Sequence, residues 1–441
     1  ALVIALVALG ACSSNADETT RAAGEVRIWA RGTPANDHVF SEAGGAAGAP
    51  VDEARWAELN NRIDGGAPMF WEYMERFGDL PKWTIADYVD AMALYTDDRA
   101  DGSLGLDTHP DIALRSDDGD LLYIPWGRYS SPDENGHPYA QAVADFSDPA
   151  WLEILASAIR QDPDHLGVFL DDVNYHQWIV TAEGMDTWPA GWTADSWSRR
   201  LANFLETVRE EFPDRTIVHN TQPFVTDYRN GHVQRGVVAA DLQFWEYGWT
   251  STAVEGAATM RAQIADARRI HALGRGIVHM ASDPDPVEVE RNLVGYLLTN
   301  AGSDFVGDSG AAWWGGDELW DWYALDLGEA RNEAYEPTPG LFVRDFERGT
   351  AVMNWSGTAT TWGETTIPHG RAHVDTRPQA AATAGRARRT ATSSSRAART
   401  MKNCRTLKPA MVAPPAVPWW KLTRSPATTA SAPSSIEVSM I

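Results

Sequence analysis

Residues 24–338 predict a (β/α)8 barrel, an α/β TIM-barrel fold, and residues 339–370 the opening of a truncated small C-terminal β-domain, a partial β-sandwich. Three observations carry this expectation. Short apolar runs alternate with amphipathic stretches of helical length, the pattern of parallel strands joined by helical crossovers. The runs recur every roughly 25 to 50 residues over about 300 residues, which suits a barrel with long loops on one face better than an open doubly wound sheet. No G-x-G-x-x-G follows a strand and no G-x-x-x-x-G-K-[ST] occurs, so the nucleotide-binding form of the open sheet lacks its phosphate cradle. A chain of 441 residues, 44% hydrophobic and 22% charged, can bury such a core.

At the N-terminus, Ala1 to Gly10 is apolar and too short to cross a bilayer as a helix, so residues 1–11 read as a secretory signal of the lipoprotein type. Leu9-Gly10-Ala11-Cys12 looks like a bacterial lipobox, which implies lipidation at Cys12 and residues 12–23 as a polar tether. The partner expected at this end is the outer face of the cytoplasmic membrane, with secretion as the alternative. For the first barrel strands, Val26 to Trp29, the region of Met69 to Trp71, and Ile112 to Leu114 are the candidates. Ser147-Asp148-Pro149 opens a helix carrying Trp151, Leu152, Leu155 and Ile159 at helical spacing.

Clear strands follow at Gly167 to Leu170, Thr216 to His219, Val237 to Trp245, Gly276 to His279 and Ser303 to Gly307. Between the first two, Trp197, Leu201, Phe204, Leu205, Val208 and Phe212 form one apolar face. Ala253 to Ala272 is the next crossover helix, stopped at Gly274, a C′ glycine. The one after opens with Asp285 as N-cap, Pro286 at N1 and Glu288 at N3, and runs through Leu293, Val294, Leu297 and Leu298. Beyond Gly340, period-two alternation in residues 341–346 and 350–355 signals a hairpin through Glu347-Arg348-Gly349.

From Arg371 to Ile441 the chain carries 12 Lys/Arg and 2 Asp/Glu, against a net charge of -34 for residues 1–370. This stretch shows no period of two or 3.6 and reads as a disordered basic tail. A reading-frame shift in the underlying gene is the preferred origin, and a nucleic-acid-binding tail the alternative. For the chain as a whole, 61 acidic against 37 basic residues give -24, which repels phosphate backbones, so nucleic acid is not an expected partner.

In a barrel, residues just past the strand C-termini converge on one mouth. Gly167-Val168-Phe169-Leu170 runs into Asp171-Asp172, and Leu242-Gln243-Phe244-Trp245 runs into Glu246. As the ends of the fourth and sixth barrel strands they put two carboxylates across the mouth, with Trp245, Tyr247, Trp249, Tyr175 and Trp178 around them. Glycosidic bonds need that inventory: one carboxylate to attack the anomeric carbon, a second to protonate the leaving oxygen, and aromatic faces to stack on sugar rings.

Three ordered blocks then resemble a family. Asp111 to Gly119, Asp145 to Trp151 and Gly167 to Asp171 look like successive motifs of uncharacterised bacterial glycoside hydrolases whose barrel is similar to that of α-galactosidase-type enzymes. Leu325 to Gly328, Phe342 to Gly349 and Val352 to Ser356 look like the close of that barrel and the start of its β-sandwich. The resemblance implies Asp171 as nucleophile and Glu246 as acid/base. Leu166 departs from the family pattern and Asp172 doubles the acid, so Asp171 and Asp172 both stay open as the nucleophile.

Other strand-end residues are secondary substrate-binding candidates: His219, Asn220, His279 and Asp308, with Arg115 as a clamp for a substrate carboxylate and Trp313-Trp314 as an aromatic loop after the last strand. Gly307-Asp308-Ser309-Gly310 echoes a serine-protease segment, but two cysteines cannot supply that fold's disulfides. Residues 97–108 miss the ligand pattern of a calcium loop, and no H-E-x-x-H occurs, so neither metal nor cofactor is expected. The expected function is a glycoside hydrolase acting on a poly- or oligosaccharide, with a retaining mechanism favoured. The alternative is a non-catalytic carbohydrate-binding lipoprotein on the same barrel.

Overall fold

A mostly parallel sheet of six strands lies at the centre of the computed structural model, which describes residues 21–30, 64–66, 86–96, 104–125, 132, 135–160, 167–176, 178–281, 285–308, 324–376, 421–422 and 438–439. β1 (Trp29–Ala30) pairs with β2 (Gly65–Gly66). Six strands form one sheet: β3 (Ala86–Asp90), β6 (Gly167–Asp171), β7 (Thr216–Asn220), β8 (Leu242–Trp245), β9 (Gly276–Ala281) and β10 (Phe305–Asp308). A parallel bridge from Ile28 to Val306 joins the first strand region to the last. The step from β2 to β3 has no pairing among the described residues, so what is seen is a mostly parallel α/β sheet of barrel order, without a demonstrated closure.

The strand residues sort onto two faces with period two. Trp29, Phe169, Val218, Leu242, Phe244, Val278, Met280 and Phe305 form one apolar cluster inside the curve of the sheet, with Tyr88 packed against it. Leu170, Ile217, Trp245, Ile277 and Val306 belong to the second, larger cluster with the helices. Those helices are α1 (Pro149–Arg160), α2 (Ala194–Glu211), α3 (Gly231–Ala239), α4 (Ala257–Ala272) and α5 (Pro286–Thr299). α2 buries Trp197, Leu201, Phe204, Leu205 and Val208, and each such side chain contributes roughly 1.5–3 kcal/mol of transfer free energy. Thr193 and Ser196 close a reciprocal capping box at its start. Asp285 caps α5 through the Val287 N–H, as expected from its sequence.

Three expectations are corrected. Val237 to Ala239 is the end of α3, a helix whose start is capped by Asn230 Oδ1 accepting the His232 N–H, and the strand starts only at Leu242. The apolar run there spans two elements, which hid the boundary. Ile112 ends a one-turn 3-10 helix, Pro110–Ile112, and the third strand is instead Ala86–Asp90. β16 (Arg371–Thr376) pairs antiparallel with β13 (Gly349–Asn354) along its whole length, so the ordered fold passes the compositional break at residue 371. The Met69–Trp71 region lies outside the described residues.

Between β3 and α1, β4 (Ala93–Tyr95) pairs antiparallel with β5 (Gln141–Val143), placing Tyr95 and Gln141 near the end of β3. After the last barrel strand, β11 (Tyr335–Thr338), β12 (Leu341–Asp345), β13 and β16 form a four-stranded antiparallel sheet. Its β12–β13 hairpin is the one the alternation predicts. Leu341, Val343, Val352 and Ile367 make its small core, with β14 (Thr360–Trp362) and β15 (Thr365–Ile367) as a second hairpin. Arg344 ties this sheet to α5 by donating to the Leu297 and Asn300 carbonyls at 3.0 and 2.8 Å. Residues 380–441 are a separate unit, described only by the pairing of β17 (Lys421–Leu422) with β18 (Val438–Ser439).

Candidate active site

The C-terminal ends of four neighbouring strands carry polar side chains where the apolar interior stops. β3 ends in Asp90, β6 in Asp171, β7 in Asn220, and β8 runs into Glu246; Asp90, Asp171 and Glu246 are 1%, 8% and 8% exposed. Asp90 and Asp171 are register partners on adjacent strands. Alternation explains the set, because Tyr88 and Asp90, Phe169 and Asp171, Val218 and Asn220, and Phe244 and Glu246 are each two apart.

One amide joins the two expected catalytic acids. Asn220 Nδ2 donates to Asp171 Oδ1 at 2.6 Å and to Glu246 Oε2 at 3.3 Å, which bounds the separation of those oxygens at about 5.9 Å. Gln222 Nε2 donates to the same Glu246 oxygen at 3.1 Å. Asp171 also accepts the Tyr88 hydroxyl on Oδ2 and the Asp172 N–H on Oδ1 at 2.9 Å. Asp172 itself has φ +53°, a left-handed conformation that Asp tolerates better than most residues, and it turns the chain off the strand immediately after Asp171. The doubled acid is thus resolved in placement: Asp171 keeps the interior position and Asp172 leaves the alternation.

Sequence reading missed the rest of this network. Asp90 Oδ2 accepts the Tyr95 hydroxyl and Gln141 Nε2, the latter at 3.1 Å. Burial and the neighbouring Asp171 charge push the Asp90 carboxyl up to about 7, against the opposing pull of the Tyr95 hydrogen bond and the nearby Tyr88 hydroxyl. Tyr88 and Tyr95 are raised well above the ordinary phenol value, by burial first and by the acids second, so both stay protonated donors. Tyr88 stacks on Phe169 at 5.6 Å between ring centroids. The signal in Ala86-Asp-Tyr-Val-Asp90 is a strand ending in acid, as in Gly167–Asp171, but the apolar run Ala91 to Leu94 continues past it and conceals the end.

Several expected sugar-contacting residues sit elsewhere. With Phe244 and Glu246 turned inward, Trp245 faces the helices, fully buried, and its Nε1 donates to the Tyr228 hydroxyl at 2.9 Å. Trp249 is likewise fully buried against α5: a Cβ on Gly295 would fall 1.9 Å from its Cγ. Its Nε1 donates to His279 Nδ1 at 2.9 Å, and His279 in turn meets Asp304. Tyr175 is buried against α3, its hydroxyl 1.6 Å from where a Gly236 Cβ would stand. His219 takes the outward position of β7; burial and the Arg209 and Arg275 charges push it down to about 3, so it is neutral. These four aromatic or imidazole groups at Trp245, Trp249, His219 and His279, with Tyr175, are therefore packing residues behind the sheet.

Tyr247 follows Glu246, half-buried, with its ring 6.0 Å from the exposed Phe224. Arg115 is exposed and donates to the Gly119 carbonyl at 3.1 Å, holding a turn. The Asp308 backbone ends β10. Trp313, Trp314 and Cys12 lie outside the described residues. Among the described residues, no three His, Cys, Asp or Glu side chains gather to hold a metal, and no helix is long and apolar enough to cross a membrane.

No protein-family model matches the chain and no curated protein does, so the family resemblance stands on its motif blocks alone. Among solved structures, the glycoside hydrolase domain of PelA from Pseudomonas aeruginosa is similar at 18% identity and TM-score 0.37, over 67% of this chain and 96% of that one. A GH5-4 broad specificity endoglucanase from Clostridium longisporum is similar at 9% identity and TM-score 0.31, over 65% and 88%. Inosine 5' monophosphate dehydrogenase from Legionella pneumophila is similar at 11% identity and TM-score 0.27, over 84% and 83%. None reaches a TM-score of 0.5.

Proposed function

We propose that the protein is a glycoside hydrolase acting on a poly- or oligosaccharide, with Asp171 as nucleophile and Glu246 as acid/base. The observation that carries this reading is the single Asn220 amide touching both carboxylates at the ends of β6 and β8. An oxygen separation of at most about 5.9 Å favours retention, for which the two carboxyls stand about 5 to 5.5 Å apart, over inversion, which needs about 6.5 to 9.5 Å.

In the first step an Asp171 oxygen bonds to the anomeric carbon as the glycosidic C–O bond breaks, and the Glu246 proton goes to the leaving oxygen. In the second, Glu246 takes a proton from water, that water oxygen bonds to the same carbon, and Asp171 leaves as carboxylate. Asn220 and Gln222 hold the two acids in register, and Tyr88 holds Asp171 from the other side. The same reading puts the enzyme outside the cytoplasmic membrane on a lipid at Cys12, so Cys12→Ser should move it from the membrane to the soluble fraction.

The test is a polysaccharide screen for released reducing ends, followed by proton NMR of the first-formed anomer. A hydrolysed glycan whose product keeps the configuration of the cleaved bond is the expected result. Inversion would defeat the nucleophile assignment, and binding without cleavage would leave a carbohydrate-binding protein.

A further inference from the structure

Asp90 is the acid in the site that the two-carboxylate mechanism does not use. It stands beside Asp171 in register, almost wholly buried, on the same face of β3 as Tyr88. Its two oxygens differ in setting. Oδ2 is saturated by two donors, the Tyr95 hydroxyl and the Gln141 amide. Oδ1 is buried with no hydrogen-bond partner among the described residues. A proton on the carboxyl therefore belongs on Oδ1, since Oδ2 has both its lone-pair directions taken. Other polar atoms of the site share this condition: Gln141 Oε1, Asn220 Oδ1 and Gln222 Oε1 are buried acceptors without partners there. Buried polar atoms left unpaired cost roughly 1–3 kcal/mol each, so a cluster of them around the ends of β3, β6 and β7 marks a polar interior that a polyhydroxylated ligand would complete.

We infer that Asp90 is a third acidic residue of the sugar site, holding a proton on Oδ1 and donating that hydrogen bond to a hydroxyl of the sugar unit attacked by Asp171. The inference rests on the glycosidase reading for what the proton meets, and on Asp90's own surroundings for the proton itself. Those surroundings, among the described residues, are Tyr88 on its own strand, Tyr95 on β4, the uncharged Gln141 on β5, and Asp171 on β6 with Asp172 beyond it; the acids are all negative or neutral, and the phenols are donors. Loss of the proton turns a donor into a second negative charge next to Asp171, so sugar binding weakens as pH rises through about 7.

Two measurements on the full chain test this. The first is infrared difference spectroscopy between about pH 5 and about pH 9, which reads the carbonyl stretch of a protonated carboxyl. The band should disappear as pH passes about 7, be missing from Asp90→Asn, and shift to higher pH in Tyr95→Phe, which removes a bond that favours the charged form. The second is calorimetric binding of hexasaccharides of glucose, N-acetylglucosamine, glucosamine, galactose and xylose to Glu246→Gln, which cannot turn them over. Affinity should fall about tenfold on raising pH through this range, one hydrogen bond's worth. Asp90→Asn in that background should bind without pH dependence, because an amide donates at every pH. No titrating band in the wild type, or a band that titrates while affinity stays flat, overturns the role of Asp90. A band present with no sugar of the panel bound overturns that role together with the glycosidase reading, whereas cleavage with no band overturns the role alone.

Discussion

Replacing Gly295 by alanine should destabilise the protein, although the same change in most helices stabilises it. Gly295 lies within α5, where alanine is favoured over glycine by about 1 kcal/mol. Here the added Cβ would meet Trp249 Cγ, Cδ1 and Cδ2 at 1.9, 2.3 and 2.4 Å, so the whole indole must move. Overpacking of this kind costs about 1–3 kcal/mol. Movement of the ring also lengthens its 2.9 Å bond to His279, at about 1 kcal/mol more. After the helix gain is subtracted, the net is about 2 kcal/mol, or about 3 °C in the thermal midpoint for a fold of this size. Gly231→Ala, at the start of α3 where a Cβ meets nothing within 4 Å, is the matched control and should be neutral or slightly stabilising. Differential scanning fluorimetry with urea titration reads both. A Gly295→Ala midpoint equal to or above wild type would mean that Trp249 is not packed behind the sheet, and would return it to the candidates for stacking on sugar.

Other expectations follow from the same contacts. Asn220→Ala removes the amide shared by the two acids; a charge-assisted bond of about 1.5–3 kcal/mol corresponds to a fall of about 10- to 150-fold in kcat/KM, measured on the glycan found by screening, with an unchanged circular dichroism spectrum. Asp304→Asn removes a fully buried carboxylate from its bonds to the part-buried His271 and the buried His279 and should cost about 3–5 kcal/mol by urea denaturation. Burial opposes charge on His271, but the Asp304 carboxylate outweighs it and raises the group, so the pair's stabilisation is complete below the unfolded His value of about 6.5 and is lost as pH rises through the folded value; this pH dependence should vanish in Asp304→Asn. Truncation after residue 379 should leave the thermal midpoint in place, whereas truncation after residue 370 removes β16 from β13 and should lower it sharply.

Strands β6 to β10 were legible because each is a short run of mostly buried apolar residues, with an amphipathic helix between it and the next. The earlier ones were less so: the Val26 to Trp29 candidate overlaps β1, whereas β3 merges into the apolar run that carries β4 and has no strand expectation. That Asp171 and Glu246 stand at strand ends could be read from the apolar runs before them. Trp245 could not be a neighbour of the substrate once Glu246 faced inward, since adjacent strand residues point to opposite sides, and that step of alternation was available in the sequence. Trp249 and Tyr175 needed more: what covers them is the absence of a Cβ at Gly295 and Gly236, residues 46 and 61 positions away, which no local pattern reveals. Asp90 gains its meaning from Tyr95 and Gln141 on an inserted hairpin, and from Asp171 across the sheet.

The most direct measurement is kcat/KM of Asp171→Asn and of Glu246→Gln beside the wild type, on the glycan the screen identifies, with each variant's fold checked by its thermal midpoint. Both substitutions keep the size of the side chain and remove its charge or its proton, so each should lower kcat/KM by about 100-fold or more while the midpoint stays within a few degrees. Wild-type activity in either folded variant would show that the two acids bridged by Asn220 do not perform the chemistry.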